Sequence, residues 1–260
     1  MERHQIILRW LEECAQVIKD ETKKHVTVET KSNHRDLVTN LDKKVEQILV
    51  EHIHAVYPQD KIIGEEGYGD QGTSTAGTLW LIDPIDGTMN FVLQHENFAI
   101  MIAVFEEGVG VQSYVYDVAD QKLYYALKGQ GVYCNGESLP KIADTELRDG
   151  LYACSSYYHS FPSSEDRFTQ KIIQEAMGLR MYGSAGIEAC EIVKGNTVAY
   201  VAHQAKPWDF APGLIMVSEA GGMVTRLDGS PVNILEPTSV IMATPKAHAR
   251  IVDIIRDFRA

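Results

Sequence analysis

Cysteine is scarce. Four thiols in 260 residues, at positions 14, 134, 154 and 190, make no CxxC pair and no zinc-ligand spacing. That argues against a disulfide framework and a structural zinc site, and predicts reduced, buried thiols. Long apolar runs are also missing. Nothing approaches the roughly 18 apolar residues of a membrane span. The first segment, MERHQIILRWLEEC, mixes acids into its apolar residues and has no signal-peptide core. A cytoplasmic protein with no membrane partner is predicted. Positive charge is in deficit: 24 Lys and Arg against 36 Asp and Glu leave a net charge of −12. A general nucleic-acid binder would need a basic face, so no direct nucleic-acid binding is expected. An anionic ligand remains open, provided bound cations invert the local field. Internal repeats and low-complexity tracts are absent.

What is present reads as an ordinary globular chain, 45% hydrophobic and 23% charged. Apolar spacing of three and four predicts a helix over 3–19 and a second one through Val45, Ile48, Leu49, Ile53 and Val56, stopped by Pro58. KIIGEE reads as a short buried strand ending at Gly64. Residues 67–77 read as a loop, and strands follow at 78–82, 98–105, 109–116 and 122–127. The apolar pattern lapses around Lys141–Gly150, which suggests two lobes, 1–146 and 147–260. The second half alternates strand 151–154, helix 164–177, strand 180–182, helix 186–194, strand 198–202, helix 209–220 and strand 223–226. A strand at 239–243 and a helix at 246–258, with Ile251, Ile254, Ile255 and Phe258 as its stripe, close the chain. Interleaved helices and strands make this a layered α/β protein.

The stretch LWLIDPIDGTMNF (79–91) carries the chemistry. Asp, Pro and Gly suit a plain turn. A turn alone does not explain why a buried strand leads into two acids three residues apart. A Pro-fixed strand end that aims Asp83 and Asp86 the same way and exposes the Ile85 carbonyl gathers three hard oxygens, as magnesium prefers. The free N–H groups of Gly87 and Thr88, with the Thr88 hydroxyl, suit a phosphate oxygen. The pairing points to metal-assisted phosphate-ester hydrolysis. The DxDGT motif of haloacid-dehalogenase phosphatases differs, because Pro84 occupies the nucleophile's place. More acids lie at other element ends: Glu65 and Glu66 after a buried strand, Asp36 and Asp42 around a helix start, and Asp209 at a helix head. At each of these helix starts capping is the plain alternative. Gly183-Ser184-Ala185 is a small-residue helix start that admits an anion. The nine histidines are scattered, and His52 and His54, two apart on a helix, cannot share a face. The Tyr152–Tyr158 region is read as structural.

GEEG (64–67), WLIDPIDGTMNF (80–91), DLVTNLD (36–42), YGSAG (182–186) and WDFAPGLIMVSEAGG (208–222) together resemble the inositol monophosphatase family, within the magnesium-dependent, lithium-sensitive sugar-phosphatase superfamily. The resemblance implies a layered αβαβα sandwich with the site between two lobes, usually as a homodimer, and a Mg²⁺-dependent phosphomonoester hydrolase with two or three ions. Carried across, Glu65, Asp83 and the Ile85 carbonyl hold the first ion; Asp83, Asp86 and Asp209 hold the second; Glu65 with waters holds a third. Glu65, Thr88 and Asp42 act in catalysis, with water attacking in line and no phosphoenzyme. Asp86, Gly87, Thr88, Gly183, Ser184, Ala185, Lys206 and Asp209 face substrate, and Lys31 and Asp36 lie on a loop near the metals. The match departs at Ala202, seven before Asp209, where inositol-phosphate hydrolases of the family carry a Glu that contacts ring hydroxyls. Lys206 would welcome a second phosphate. The resemblance implies inositol 1- or 4-monophosphate as the first substrate, and these two departures bring in NADP(H), fructose 1,6-bisphosphate or 3′-phosphoadenosine phosphates as the alternative. A regulatory binding protein of the same fold is a reading from another class.

Overall fold

The run LWLI is apolar at every position because its strand is covered on both faces. β4 (Thr78–Asp86) pairs parallel with β3 (Lys61–Gly64) and antiparallel with β5 (Ala99–Glu106). Leu79 and Leu81 pack in one cluster and Trp80 and Ile82 in another, all fully buried. A strand enclosed on both sides has no polar alternation. The computed structural model describes residues 2–23, 26–31, 37–70, 74–155 and 165–259. Among these residues β4 lies in a seven-stranded sheet ordered β3 to β9. Its further strands are β6 (Val109–Asp117), β7 (Lys122–Leu127), β8 (Gly131–Cys134) and β9 (Glu137–Ser138), each antiparallel to the strand before it.

Two amphipathic helices cover the outer face. α1 (Glu2–Thr22) contributes Ile7, Leu11, Cys14 and Ile18, and α2 (Asn40–Val56) contributes Val45, Leu49 and Ile53, against Trp80, Ile82, Ile100 and Ile102. The inner face meets α5 (Ala185–Val193) and α6 (Pro207–Glu219), both nearly apolar all round because they lie between two sheets. The second sheet has the order β11-β10-β12-β14-β13: Gly178–Arg180, Leu151–Cys154, Ala199–Ala205, Thr238–Ala243 and Met223–Thr225. Its far face packs on α4 (Glu165–Glu175) and α7 (Pro245–Arg259) through Tyr152, Phe168, Ile241, Ile251 and Ile255. Helices, sheet, helices, sheet, helices: this is the five-layer sandwich implied by the motifs.

Several expectations are corrected. β4 does not stop at residue 82 in a turn but continues through Asp86. Asp83 pairs with Met101 and Asp86 with Ala99, so three steps on β4 match two on β5. Pro84 sits in this bulge, where its missing N–H breaks no ladder bond. The strand expected at 180–182 is β11, two residues earlier. β8, β9 and the small hairpin of β1 (Val28–Thr30) and β2 (Leu37–Thr39) were not anticipated. Phe258 is not part of the buried stripe of α7; it is 38% exposed, with the Arg167 guanidinium 5.7 Å from its ring centre. All four cysteines are free, and Cys134 is only half-buried. No described helix is long and apolar enough to cross a membrane.

Candidate active site

Strand register builds one wall of the site. Gly64 of β3 pairs with Ile82 of β4, so Glu65 leaves the sheet beside Asp83. The bulge then carries the chain on to Asp86. Gly87 caps α3 (Thr88–Leu93) with φ +87°. Asp209, at the third position of α6, comes from the middle helical layer. Glu65, Asp83, Ile85, Asp86, Gly87, Thr88 and Asp209 all line one cavity of ≈220 Å³. Gly183, Ser184 and Ala185 line it too.

Each acid is held by the chain. The Ile85 N–H donates to Asp83 Oδ1 (3.1 Å). Asp86 lies on the N-terminus of α5: the Ser184 hydroxyl (2.5 Å) and Gly186 N–H (2.7 Å) donate to Oδ2, and the Ala185 N–H (3.2 Å) donates to Oδ1. The anion expected at this helix start is thus a carboxylate of the protein itself. A Cβ at position 186 would stand 2.4 Å from Met101 Sδ and 3.1 Å from Asp86, so glycine permits this close approach. The Lys206 N–H donates to Asp209 Oδ2 (2.8 Å). Lys31 Nζ donates to Glu65 (3.0 Å) and Glu66 (2.5 Å).

Electrostatics follows from burial. Asp83 is pushed well above the ordinary carboxylate range by burial and by the charges of Glu65, Asp86 and Asp209. Burial raises Asp86 despite its three donors. It carries Asp209 up to about 8, against the Lys206 N–H and helped by Asp86 and Glu65. Glu65 is raised by burial even beside Lys31. Burial opposes the Lys31 charge, but the two glutamates outweigh it and raise Lys31. Among the described residues no three of these acids form a closed ligand cage. The cavity lining offers oxygen donors without thiol, imidazole or amine, the set that suits Mg²⁺ rather than zinc or copper.

Behind the cavity, the Thr88 hydroxyl lies 3.0 Å from Asp42 Oδ1 and 3.0 Å from the Ile85 carbonyl, so its one proton serves one of them at a time. Asp42 Oδ2 accepts the N–H and hydroxyl of Thr39. Burial, partly offset by Thr39 and Thr88, lifts Asp42 to about 6.

A model of the inositol monophosphatase family matches residues 2–259. The chain belongs to the inositol monophosphatase family. The inositol-1-monophosphatase of Bacillus subtilis is 38% identical over 251 residues, covering 95% of this chain and 94% of that protein. A crystal structure of SaIMPase-II with bound inositol monophosphate superposes with a TM-score of 0.90 at 31% identity, over 100% of this chain and 95% of the other. An IMPase/NADP phosphatase complexed with Mg²⁺ and phosphate gives a TM-score of 0.88 at 28% identity, over 97% and 94%. As a member of this family the protein is a Mg²⁺-dependent phosphatase, a hydrolase of phosphoric monoesters.

One residue read from the inositol monophosphatase motifs as facing substrate falls elsewhere. Lys206 caps α6 with its backbone and is exposed; it is not in the cavity lining. Asp36 lies outside the described residues, as do positions 156–158 of the tyrosine-rich stretch. Ser155, Glu188, Tyr200 and Gln204 line the cavity and were missed. Ala202 was noted, and strand alternation places residues 200, 202 and 204 on one face, so Tyr200 and Gln204 were within reach. Glu188 is one turn past Ser184. His52 faces Glu13 (3.0 Å) and stacks on Trp10, away from the acids.

Ser184 joins two functions, capping α5 through the Ile187 N–H (3.2 Å) and donating to Asp86. Ser184→Ala is expected to cost about 1–2 kcal/mol in urea unfolding, the value of a lost cap plus one charge-assisted bond. Its catalytic loss, measured as phosphate release, should exceed that of an exposed helix substitution of equal stability cost.

Proposed function

We propose that this chain hydrolyses inositol monophosphate, and that Glu65, Asp83, the Ile85 carbonyl, Asp86 and Asp209 hold two or three Mg²⁺ ions as it does so. The observation that carries this is the meeting on one cavity of four carboxylates from three segments: Glu65 after β3, Asp83 and Asp86 of β4, and Asp209 of α6. When ionised, as bound cations would require, they carry four negative charges, and a phosphomonoester dianion adds two. Two like charges 4 Å apart repel by about 4 kcal/mol even at an effective dielectric near 20, and three divalent ions balance the sum. When bound, these ions would neutralise the developing charge on phosphate and make a water more acidic.

The chain's own groups supply the rest. Gly87 and Thr88 N–H groups orient the phosphate. Thr88 receives a proton from the attacking water as it passes its own to Asp42 Oδ1, 3.0 Å away. With its acidity near 6, Asp42 is a carboxylate at neutral pH and able to accept. Glu65 is the second acceptor. Asp86, Asp209 and the Gly183–Ala185 segment bound the alcohol on the other side. Lys31, at the rim, holds Glu65 and Glu66. Residues 1–146 act as the lobe bearing most ligands and 147–260 as the lobe bearing Asp209. In this reading the protein works in the cytoplasm, as a homodimer, on a small molecule and without direct nucleic-acid contact, which its net charge of −12 supports.

Ala202 in the cavity wall favours a second reading, in which the ester is a nucleotide 2′-phosphate such as NADP or a sugar bisphosphate. Phosphate release with Mg²⁺, with and without lithium, should be highest for inositol 1-phosphate among that substrate, NADP, fructose 1,6-bisphosphate and 3′-phosphoadenosine 5′-phosphate. A reversed order selects the second reading, and no release from any of them ends both.

A further inference from the structure

Helix α2 carries a second buried acid one turn beyond Asp42. Glu46 is fully buried and has no cationic partner in the hydrogen-bond or ion-pair geometry of the described residues. Its two oxygens accept main-chain N–H groups instead: Oε2 from Glu66 (2.7 Å) and Oε1 from Tyr68 (2.8 Å). A carboxylate satisfied by two amides makes a strong, directional clamp. The neighbouring sequence leaves room for it. A Cβ at Gly64 would stand 2.4 Å from the Glu46 carboxyl carbon.

The clamp grips the peptide that follows Glu65. Asp42 and Glu46, four apart on one helix face, therefore hold the two strand exits of the site from a single rigid element. Asp42 holds Thr88 after β4, and Glu46 holds the 66–68 segment after β3. The same loop is fastened at its far end by Asp70, which accepts the Ile62 N–H (2.8 Å) without touching Glu65 or Glu66.

We propose that Glu46 is a positioning residue for metal binding: by clamping the Glu66 and Tyr68 amides it sets the place of the Glu65 carboxylate relative to Asp83. The proposal rests on Glu65 being a Mg²⁺ ligand. Its test is a Mg²⁺ titration of the metal-free protein followed by tryptophan fluorescence, since Trp208 adjoins Asp209. Thermal melts and the Mg²⁺ dependence of phosphate release complete it. Glu46→Gln should raise the Mg²⁺ Kd at least tenfold, with kcat at saturating Mg²⁺ within about threefold of the unaltered enzyme. Glu46→Asp, which keeps the charge but shortens the reach, should act in the same direction and decides the matter if Glu46→Gln does not fold. Asp70→Asn should lower Tm yet leave the Mg²⁺ Kd within twofold. Unchanged Mg²⁺ affinity in a folded Glu46 variant, or an equal loss in Asp70→Asn, overturns the positioning role alone. Absence of Mg²⁺ binding by the unaltered protein removes the ligand assignment and this proposal with it.

Discussion

Replacing Asp83 by Asn should abolish hydrolysis while making the metal-free protein more stable. Asp83 is 2% exposed and feels the charges of four other acids, Glu65, Asp86, Asp209 and Asp42. A divalent ion contributes several kcal/mol of charge stabilisation to phosphoryl transfer, so losing the ligand that the proposed function shares between two ions is expected to lower kcat about 1000-fold. The same substitution removes a carboxyl that burial and its neighbours oppose. The amide oxygen keeps the acceptor for the Ile85 N–H. A gain of at least about 1 kcal/mol at pH 8 corresponds to a rise in Tm of roughly 2–4 °C for a chain of this size. Scanning calorimetry in EDTA measures it. A variant that is both inactive and less stable than the parent would mean that Asp83 is a structural acid.

The metal-free protein should lose stability as pH rises from 5 to 8. Asp209 titrates near 3.8 when unfolded and near 8 when folded. Across that interval the unfolded chain has released its proton while the folded chain retains it. Each pH unit thus favours unfolding by about 1.4 kcal/mol, or about 4 kcal/mol over the interval for one isolated group. Glu188, raised to about 8 by burial against the Tyr182 N–H, acts with the same sign. The contribution is fully present only below the unfolded value of 3.8 and is lost steadily from there to the folded value near 8. Saturating Mg²⁺ should flatten or reverse the slope, because ions favour the ionised form of Asp209. Urea unfolding across pH 5–8, in EDTA and in Mg²⁺, gives both curves. A flat metal-free curve would contradict the burial of uncompensated charge.

Much of this architecture was legible because burial leaves patterns. The all-apolar LWLI marked a strand enclosed on both faces, and the stripes of α1, α2 and α7 marked surface helices. DPIDGT and the acids at other element ends marked the cavity. The unread parts share a different physics. β8, β9 and the β1–β2 pair are only two to four residues long, too short for their side chains to show an alternation. Pro84 argued for a turn because a bulge depends on the partner strand, which sequence does not reveal locally. Glu46 was hidden in plain sight: an acid on the stripe of Asp42, Val45, Leu49 and Ile53 signals a buried amide partner, yet that partner is 20 residues away. Lys206 looked like a substrate contact because its side chain is charged, whereas its backbone N–H is what meets Asp209.

The seat of Asp86 has a consequence for how such enzymes can be recombined. Its oxygens are satisfied by residues 98 to 100 positions further along. Neither half of the chain therefore encodes a finished centre. A chimera that joins the front of one relative to the back of another inherits the acid from one parent and its anchoring amides from the other. Its success turns on whether α5 meets β5 and β6 at the native depth, more than on whether every acidic residue has been retained.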